Sequence, residues 1–174
     1  MRRTLALLAA TTLLAAPALA QEARGNFIDL NGAEAGSVVL TQDDGQVSIS
    51  GEAMGLDAGD HGIHFHMTGD CDSAGKFESA GGHFNPTSHK HGLENTEGPH
   101  AGDLPNLTVA DDGTTTIDLT SDMISLAEGE EGYVFDADGT ALIIHAAMDD
   151  QMTDPSGNSG DRLLCAVIEA APAP

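Results

Sequence analysis

The feature that most constrains the fold of this chain is a series of short runs in which apolar and polar residues alternate. Eight such runs are spread along the sequence: NFIDLNG, GSVVLT, QVSISGEA, GIHFHM, NLTVA, TTTIDLT, TALIIHA and LLCAVIEA. Asp-Gly pairs, which favour tight hairpins, lie between several of them at Asp44-Gly45, Asp112-Gly113 and Asp138-Gly139. Long segments with the 3.6-residue period of a helix are missing. The pattern therefore predicts an antiparallel β-sandwich or β-barrel.

Two long polar stretches interrupt this rhythm, residues 68–102 and residues 146–161. The first is rich in glycine and holds four of the eight histidines, and the second reads AAMDDQMTDPSGNSGD. Long loops inside a compact domain are usually functional or disordered. The concentration of histidine favours a functional role for the first loop.

The first twenty residues have the features of a secretory signal. Arg2 and Arg3 form a positive start, residues 5–14 form a short apolar run, and an Ala-x-Ala pattern ends at Ala20. The apolar run is too short for a membrane anchor. We therefore expect cleavage after Ala20, one domain over residues 21–174, and a soluble protein in the periplasm or outside the cell.

The charge of the chain is strongly negative. The sequence has 28 acidic and 6 basic residues, a formal net charge of −22, and the expected signal carries two of the basic ones. Repulsion from phosphates argues against nucleic acid and anionic membranes as partners. Four cationic side chains follow the signal, namely Arg24, Lys76, Lys90 and Arg162. Because cationic side chains are so few, one that lies beside a motif is a candidate for a specific role.

The two cysteines, Cys71 and Cys165, lie far apart in the sequence. In an oxidising compartment such a pair favours a disulfide, and two free buried thiols are the alternative. Closing a loop of that length would stabilise the fold by about 4–5 kcal/mol in the chain-entropy model. If the chain is exported, we expect the disulfide.

The stretch HGIHFHM places histidines at positions 61, 64 and 66 within a predicted strand. Residues two apart on a strand share a face, so His64 and His66 point the same way. Ile63 and Phe65 point the other way and suit a core, while the histidine pair can reach one metal ion from the outer face. His61 falls on the face of Ile63 and is expected to hydrogen-bond backbone instead. Ordinary structural histidines are the alternative for the pair.

Further candidate donors follow in the first long loop and near a distant strand end. They are His83, His89, His91, His100 and Asp103 in the first case, and His145 in the second. Imidazole nitrogens with one carboxylate match the tetrahedral ligand set of Zn²⁺, and three or four imidazoles without a thiolate also suit Cu²⁺. A histidine-rich loop that binds metal without specificity is the alternative. The donors occur in small separated pairs rather than in one tract, which favours a defined metal site.

Taken together, these motifs resemble the copper/zinc superoxide dismutases of the exported bacterial kind. They are GIHFH, GGHFNP with a histidine eight residues after His83, HAGD, IIHA and GDRLLCAVI, in that order, and the resemblance extends from about residue 25 to residue 169. Any one motif is weak, but the complete series with workable spacing is specific. The resemblance implies an all-β, eight-stranded antiparallel Greek-key barrel with two long functional loops. It also implies bound copper and zinc, and dismutation of superoxide to O₂ and H₂O₂.

The resemblance further implies roles for individual residues. Copper would be held by His64, His66, His83 and His145, and zinc by His83, His91, His100 and Asp103, with His83 bridging the two ions. The catalytic residues would be Arg162 and His83; Asp149 would link a copper ligand to a zinc ligand, His61 would support the copper strand, and Cys71 would pair with Cys165. His89 lies outside this pattern, and we expect it at the solvated surface.

Two other functions compete with this prediction. A metal-storage or copper-delivery protein on the same barrel would need neither a bridging histidine nor a cation beside copper. A calcium site at DADG, beginning at Asp136, is disfavoured because the spacing and the distal glutamate of a calcium loop are missing. Superoxide would be the small-molecule partner. The sequence leaves a monomer and a homodimer both open, with Tyr133 as one candidate interface residue.

The loop of residues 146–161 departs from a common feature of such families, which often place cations there to attract the substrate. Here it contains four acidic residues and no lysine. We therefore expect weak electrostatic attraction of superoxide, unless Lys76 or Lys90 supplies it from the other loop.

Overall fold

The computed structural model describes residues 21–172. The expected export signal, residues 1–20, lies outside the described residues, as do the last two positions of the chain. Within the described range, no helix has the length and apolar character that crossing a bilayer requires. One short 3₁₀-helix spans Glu78–Ala80, and the strands are β1 (Gln21–Ile28), β2 (Glu34–Asp43), β3 (Gln46–Met54), β4 (Gly59–His61), β5 (Ile63–His66), β6 (Leu107–Val109), β7 (Thr114–Ser121), β8 (Ala141–His145), β9 (Arg162–Val167) and β10 (Glu169–Ala170).

The all-β prediction is confirmed, and each of the eight alternating runs contains strand residues. One run is split, because Ile168 separates β9 from β10, and Gly62 separates β5 from the short β4 that precedes the run GIHFHM. β1 begins earlier than its pattern predicted. Its first inward residues are Ala23 and Gly25, which carry little hydrophobic signal in the sequence although both are buried.

Seven strands form one antiparallel sheet in the order β5-β8-β9-β1-β2-β3-β7, and the short β10 lies beside β1. β7 and β8 are consecutive in the chain, but β7 is at one end of this order and β8 is next to the other end, which is the crossover of a Greek key. The remaining strands, β4 and β6, pair with each other. Since β4 leads directly into β5 and β6 leads into β7, this pair draws the two sheet edges together. The Greek-key prediction is confirmed. The sheet is antiparallel and strongly curled.

The hydrophobic core lies inside the curled sheet. Alternate residues of the strands are buried, as in β3, where Val47 and Ile49 are fully buried between exposed neighbours. Phe27, Phe65 and Ile144 join the same cluster from β1, β5 and β8. Burying an apolar side chain of this size contributes about 1.5–3 kcal/mol, so this cluster is the main source of stability for the sheet.

β5 connects the core to the histidines. Ile63 and Phe65 belong to the core cluster, and His64 and His66 contact the covering loops on the opposite face. That face is closed to solvent, since His64 is 0% and His66 is 1% exposed. The histidine pair therefore lies in a buried layer between the sheet and the two long loops.

The loops predicted from composition, residues 68–102 and 146–161, contain no strand. The predicted disulfide between Cys71 and Cys165 is formed and ties the first loop to β9. A third long connection, residues 122–140, was not predicted. Gln42 of β2 fastens it, because its side chain donates to Ser125 Oγ and accepts the backbone N–H of Leu126.

The disulfide links residues 94 positions apart. We predict that its reduction lowers the free energy of unfolding by about 4–5 kcal/mol, because the reduced unfolded chain regains the loop entropy that the crosslink removes. Chemical denaturation of metal-free protein with and without reductant measures the difference. A change below about 1 kcal/mol would contradict the chain-entropy account.

Candidate metal centre

The structure brings the predicted donors together in two adjacent buried groups. In the first group, one donor atom from each of four residues lies within 4.8 Å of the others, and these are His64, His66, His83 and His145. In the second group, the donor atoms of four residues lie within the same distance of one another, and these are His64, His83, His91 and Asp103. β5 supplies His64 and His66, β8 supplies His145, and the chain between residues 68 and 106 supplies the others. The sheet and the first long loop therefore build this region jointly.

Hydrogen bonds at the outer nitrogens determine which atom of each ring faces the first group. The Nδ1 atoms of His66 and His145 donate to the carbonyl oxygens of Gly81 (3.0 Å) and Gly160 (3.2 Å). Their Nε2 atoms are 3.4 Å apart and are thus left unprotonated, as a metal ligand must be. His64 is turned the other way, because its Nε2 donates to a carboxylate at 2.6 Å and its Nδ1 remains for the group.

The second group has the dimensions of a tetrahedral metal site. Asp103 Oδ1 lies 3.0 Å from Nδ1 of His83, 3.0 Å from Nδ1 of His91 and 3.4 Å from Nδ1 of His100. The Nδ1 atoms of His83 and His100 are 3.4 Å apart. Ligands about 2.0–2.1 Å from a zinc ion are about 3.3–3.4 Å from each other in a tetrahedron. His100 therefore completes a tetrahedral set with His83, His91 and Asp103, and we assign His64 to the first group with His66, His83 and His145.

His83 contributes a different nitrogen to each group. Its Nδ1 lies among the donors of the second group, and its Nε2 is the atom left for the first. That Nε2 is buried without a hydrogen-bond partner among residues 21–172, and so is Nδ1 of His64. Unpartnered buried polar atoms are rare in native structures and costly. A metal ion bound by both nitrogens accounts for them.

The chemistry of the two donor sets differs. The first offers imidazole nitrogens and no thiolate or carboxylate, which suits copper. The second offers three imidazoles and one carboxylate, which suits zinc. The residues present therefore fit one copper and one zinc ion.

Asp149 connects the two groups from outside. Its Oδ2 accepts Nε2–H of His64 at 2.6 Å, and its Oδ1 accepts Nε2–H of His91 at 3.0 Å. The side-chain amide of Asn106 donates to the Asp149 carbonyl and accepts from the Asp149 N–H, both at 2.8 Å. Gly157 packs so closely that a Cβ there would overlap the Asp149 carboxylate. Asp149 thus orients one ring of each group at the same time.

Burial and charge set the protonation of the rings. Burial lowers the pKa of His145 to about 3 and that of His83 to about 4, so both rings are neutral at physiological pH. Burial acts in the same direction on His91, but its contacts with Asp103 and Asp149 outweigh burial and raise its pKa to about 9. Burial would raise the pKa of Asp103, yet the imidazoles around it hold that pKa far below the ordinary value. The second group thus requires a positive charge, from a proton or a metal ion, between its donors.

Arg162 begins β9 and is the cross-strand partner of His145. Its guanidinium donates to the carbonyl oxygens of Phe77 and Gly81, both at 2.6 Å. The Gly81 oxygen also accepts from His66, so one peptide group orients both a ring of the first group and the cation. The Arg162 side chain is 16% exposed. A fixed positive charge therefore lies beside the first group and remains accessible from solvent.

Two other histidines lie outside both groups. His61 is buried, with its Nδ1 2.6 Å from the His145 carbonyl oxygen and its Nε2 2.9 Å from the Asp57 carbonyl oxygen. It contacts backbone and links β4 to a residue of the first group. His89 is exposed, and its Nδ1 lies 3.2 Å from the Pro99 carbonyl oxygen.

The roles of Asn106 and Gly81 were not predicted from the sequence. Asn106 acts on a residue 43 positions away, and no local pattern shows such a contact. Gly81 acts through its carbonyl oxygen, which is independent of the side chain. For Gly81 the available signal was the motif GGHFNP, of which it is the first residue.

Comparisons with known proteins agree with this geometry. The model of the family "copper/zinc superoxide dismutase" matches residues 34–168. The chain is 38% identical over 171 residues to Cu-Zn superoxide dismutase 2 of Aquifex aeolicus, which covers 97% of this chain and 99% of the relative. It is 39% identical over 141 residues to the Cu-Zn superoxide dismutase of Caulobacter vibrioides, with 80% of each chain covered.

A solved structure shares the fold. The crystal structure of a SOD-like protein from Bacillus subtilis matches with a TM-score of 0.79 and 38% identity, covering 83% of this chain and 96% of that chain. The family match covers most of the chain, including the residues of both donor groups. From this match and the close relatives, the protein belongs to the copper/zinc superoxide dismutase family.

Proposed function

We propose that this protein is an exported superoxide dismutase that holds copper in the first donor group and zinc in the second. Dismutation of superoxide is the function of the family, and copper and zinc are its cofactors. The observation that carries the proposal is the position of His83, which offers one ring nitrogen to each group. The copper ligands are His64, His66, His83 and His145, and the zinc ligands are His83, His91, His100 and Asp103.

Copper supplies one-electron chemistry when bound: one superoxide loses an electron and leaves as O₂, and a second gains an electron and leaves as H₂O₂ after taking up two protons. The side chains of the protein position the superoxide and supply one of the two protons. His83 can carry a proton at Nε2, the atom that faces the first group, while its Nδ1 stays among the donors of the second. A proton at Nε2 of His83 is therefore positioned for transfer to the second superoxide.

Arg162 is the proposed binding residue for the substrate anion. The net charge of the chain repels superoxide, but a guanidinium keeps its positive charge at physiological pH. Two of its five N–H donors are used by backbone carbonyls, and others remain for an anion. The carboxylate of Glu78 is 3.9 Å away and 77% exposed, so it neutralises the cation only weakly.

The proposed site of action is outside the cytoplasm, in the periplasm or in the medium. The disulfide between Cys71 and Cys165 is stable in an oxidising compartment. Residues 1–20 would direct export, and the domain of residues 21–174 would act after their removal. There the enzyme would remove superoxide from the exported compartment.

Metal binding without turnover is the second candidate function. The relative from Bacillus subtilis is described as SOD-like rather than as a dismutase. A storage or delivery protein, however, has no need of a cation held beside the first group or of a histidine shared by both groups. These two features favour the enzyme.

The experiment that tests the proposal combines metal analysis with an activity assay on protein loaded with copper and zinc. We expect one copper and one zinc per chain, a visible Cu²⁺ band from nitrogen ligands, and H₂O₂ production that depends on superoxide. Bound metals without H₂O₂ above the metal-free control would instead support storage or delivery. A chain that took up no copper would overturn both functions.

We predict that Arg162→Gln lowers kcat/KM at least about tenfold, because a hydrogen bond from a charged group to the substrate contributes about 1.5–3 kcal/mol. The copper content should not change, since Arg162 is not a ligand. Arg24→Gln is the matched control, because it removes the same charge from a 63% exposed side chain of β1. Pulse radiolysis measures both rates. Equal rates for the two variants would contradict the role of Arg162.

Salt dependence tests the electrostatics of approach. We predict that the rate stays constant or rises between about 0.01 M and about 0.15 M salt, because shortening the Debye length from about 30 Å to about 8 Å screens the repulsion by the acidic surface. The measurement is the same kinetic assay at several ionic strengths. A rate that falls steeply would instead indicate a local cationic funnel, with Lys76 or Lys90 as its source.

A further inference from the structure

Four of the six rings in the two donor groups share a pattern at the nitrogen that points away from the other donors. Its partner is a carboxylate or carbonyl oxygen, which is Asp149 for His64 and His91, Gly81 for His66, and Gly160 for His145. His83 uses its two nitrogens for the two groups. The remaining ring is that of His100, whose Nε2 makes no hydrogen bond to residues 21–172. His100 is therefore the one ring of the second group whose outer nitrogen lacks a hydrogen-bond partner among the described residues.

The carboxylate of Asp154 faces the Nε2 atom of His100. Its Oδ1 lies 3.8 Å from that nitrogen, which is within ion-pair range but too long for a hydrogen bond. The same oxygen accepts the backbone N–H of His91 at 2.8 Å. One carboxylate oxygen thus contacts two residues of the second group from the loop of residues 146–161. The Asp154 side chain is 48% exposed, so it can shift without disturbing the core.

We propose that Asp154 is a positioning residue of the zinc site, which accepts the Nε2–H of His100 and so keeps Nδ1 of His100 as the metal-binding atom. A shift of about 1 Å brings the two atoms to the usual hydrogen-bond distance. Metal-bound histidines characteristically hand their second N–H to such an oxygen, which fixes the tautomer and the direction of the ring. The inference rests on the assignment of zinc to the second group.

Asp154 and Asp149 then fasten the same loop at two points. Asp149 holds the side chain of His91, and Asp154 holds the backbone of His91 together with the ring of His100. Asp149 is buried and fully hydrogen-bonded, whereas Asp154 is half exposed and screened by solvent. We therefore expect the contribution of Asp154 to zinc affinity to be the smaller of the two.

The test measures Zn²⁺ affinity on copper-free protein by competition with a chelator. Asp154→Asn should weaken zinc binding about tenfold, at the lower end of the 10–100-fold losses that are typical of such partners. Asp154→Glu should restore most of the affinity. Asp150→Asn is the matched control: Asp150 is in the same loop and accepts two backbone N–H groups there, but within residues 21–172 its carboxylate makes no hydrogen bond to a proposed zinc ligand.

A spectroscopic readout separates ring positioning from a general effect on the loop. In zinc-loaded, ¹⁵N-labelled protein, the Nε2–H of His100 should exchange with water faster in Asp154→Asn than in the unchanged chain. The Nε2–H of His91, which donates to Asp149, should not change. Unchanged exchange at His100 would show that Asp154 does not hold that ring and would overturn the proposal.

The outcomes distinguish this inference from the proposed function. Equal zinc affinities for Asp154→Asn and Asp150→Asn would overturn the role of Asp154 and leave the zinc site intact. If the unchanged protein failed to bind Zn²⁺, the zinc assignment and the role of Asp154 would both be wrong.

Discussion

The whole centre depends on one imidazole ring, that of His83, placed so that each of its nitrogens completes a different set of donors. Its Nδ1 lies 3.0 Å from Asp103 Oδ1 and 3.4 Å from the Nδ1 of His100. Its Nε2 is buried and has no hydrogen-bond partner in the part of the chain that the structure describes. Without this ring, neither group would have four members. Two ions bound there would share a ligand, so the charge and protonation of one site would depend on the other.

The fold holds this ring by bringing a loop against a strand. Isolated bridges pair His66 with His83 and His64 with Asp103, so the loop runs along β5. Gly102 makes the close approach possible, because a Cβ there would overlap the carbonyl of Phe65. The loop is tied at its other end by the disulfide to β9. The Gly81 carbonyl in the same loop orients His66 and Arg162.

The second long loop locks the arrangement from outside. Asp149 reaches a ring in each group, and Asn106 fixes the backbone of Asp149 through two hydrogen bonds. The metal ions themselves would add the positive charge that Asp103 and Asp149 require. Hydrogen bonds therefore connect rings of both groups to the second loop through Asp149, and connect His66 to Arg162 through the Gly81 carbonyl.

Much of this architecture could be predicted from the sequence, because strand alternation and motif order are local properties. The spacing of His64 and His66 indicated a shared face, and the run of eight alternating segments indicated an all-β fold. The contacts of Asn106, Gly81 and Asp154 could not be predicted. They join residues distant in the chain or act through the backbone, and composition does not encode which oxygen meets which nitrogen. The burial of His64 and His66 also depends on loops whose path has no periodic signal.

The most direct test of the central claim is a crystal structure of the copper- and zinc-loaded protein, with anomalous diffraction recorded at the absorption edges of both metals. We predict two separate ions, with copper among His64, His66, His83 and His145, zinc among His83, His91, His100 and Asp103, and the His83 ring between them. A single ion, or two ions that do not share His83, would contradict the account.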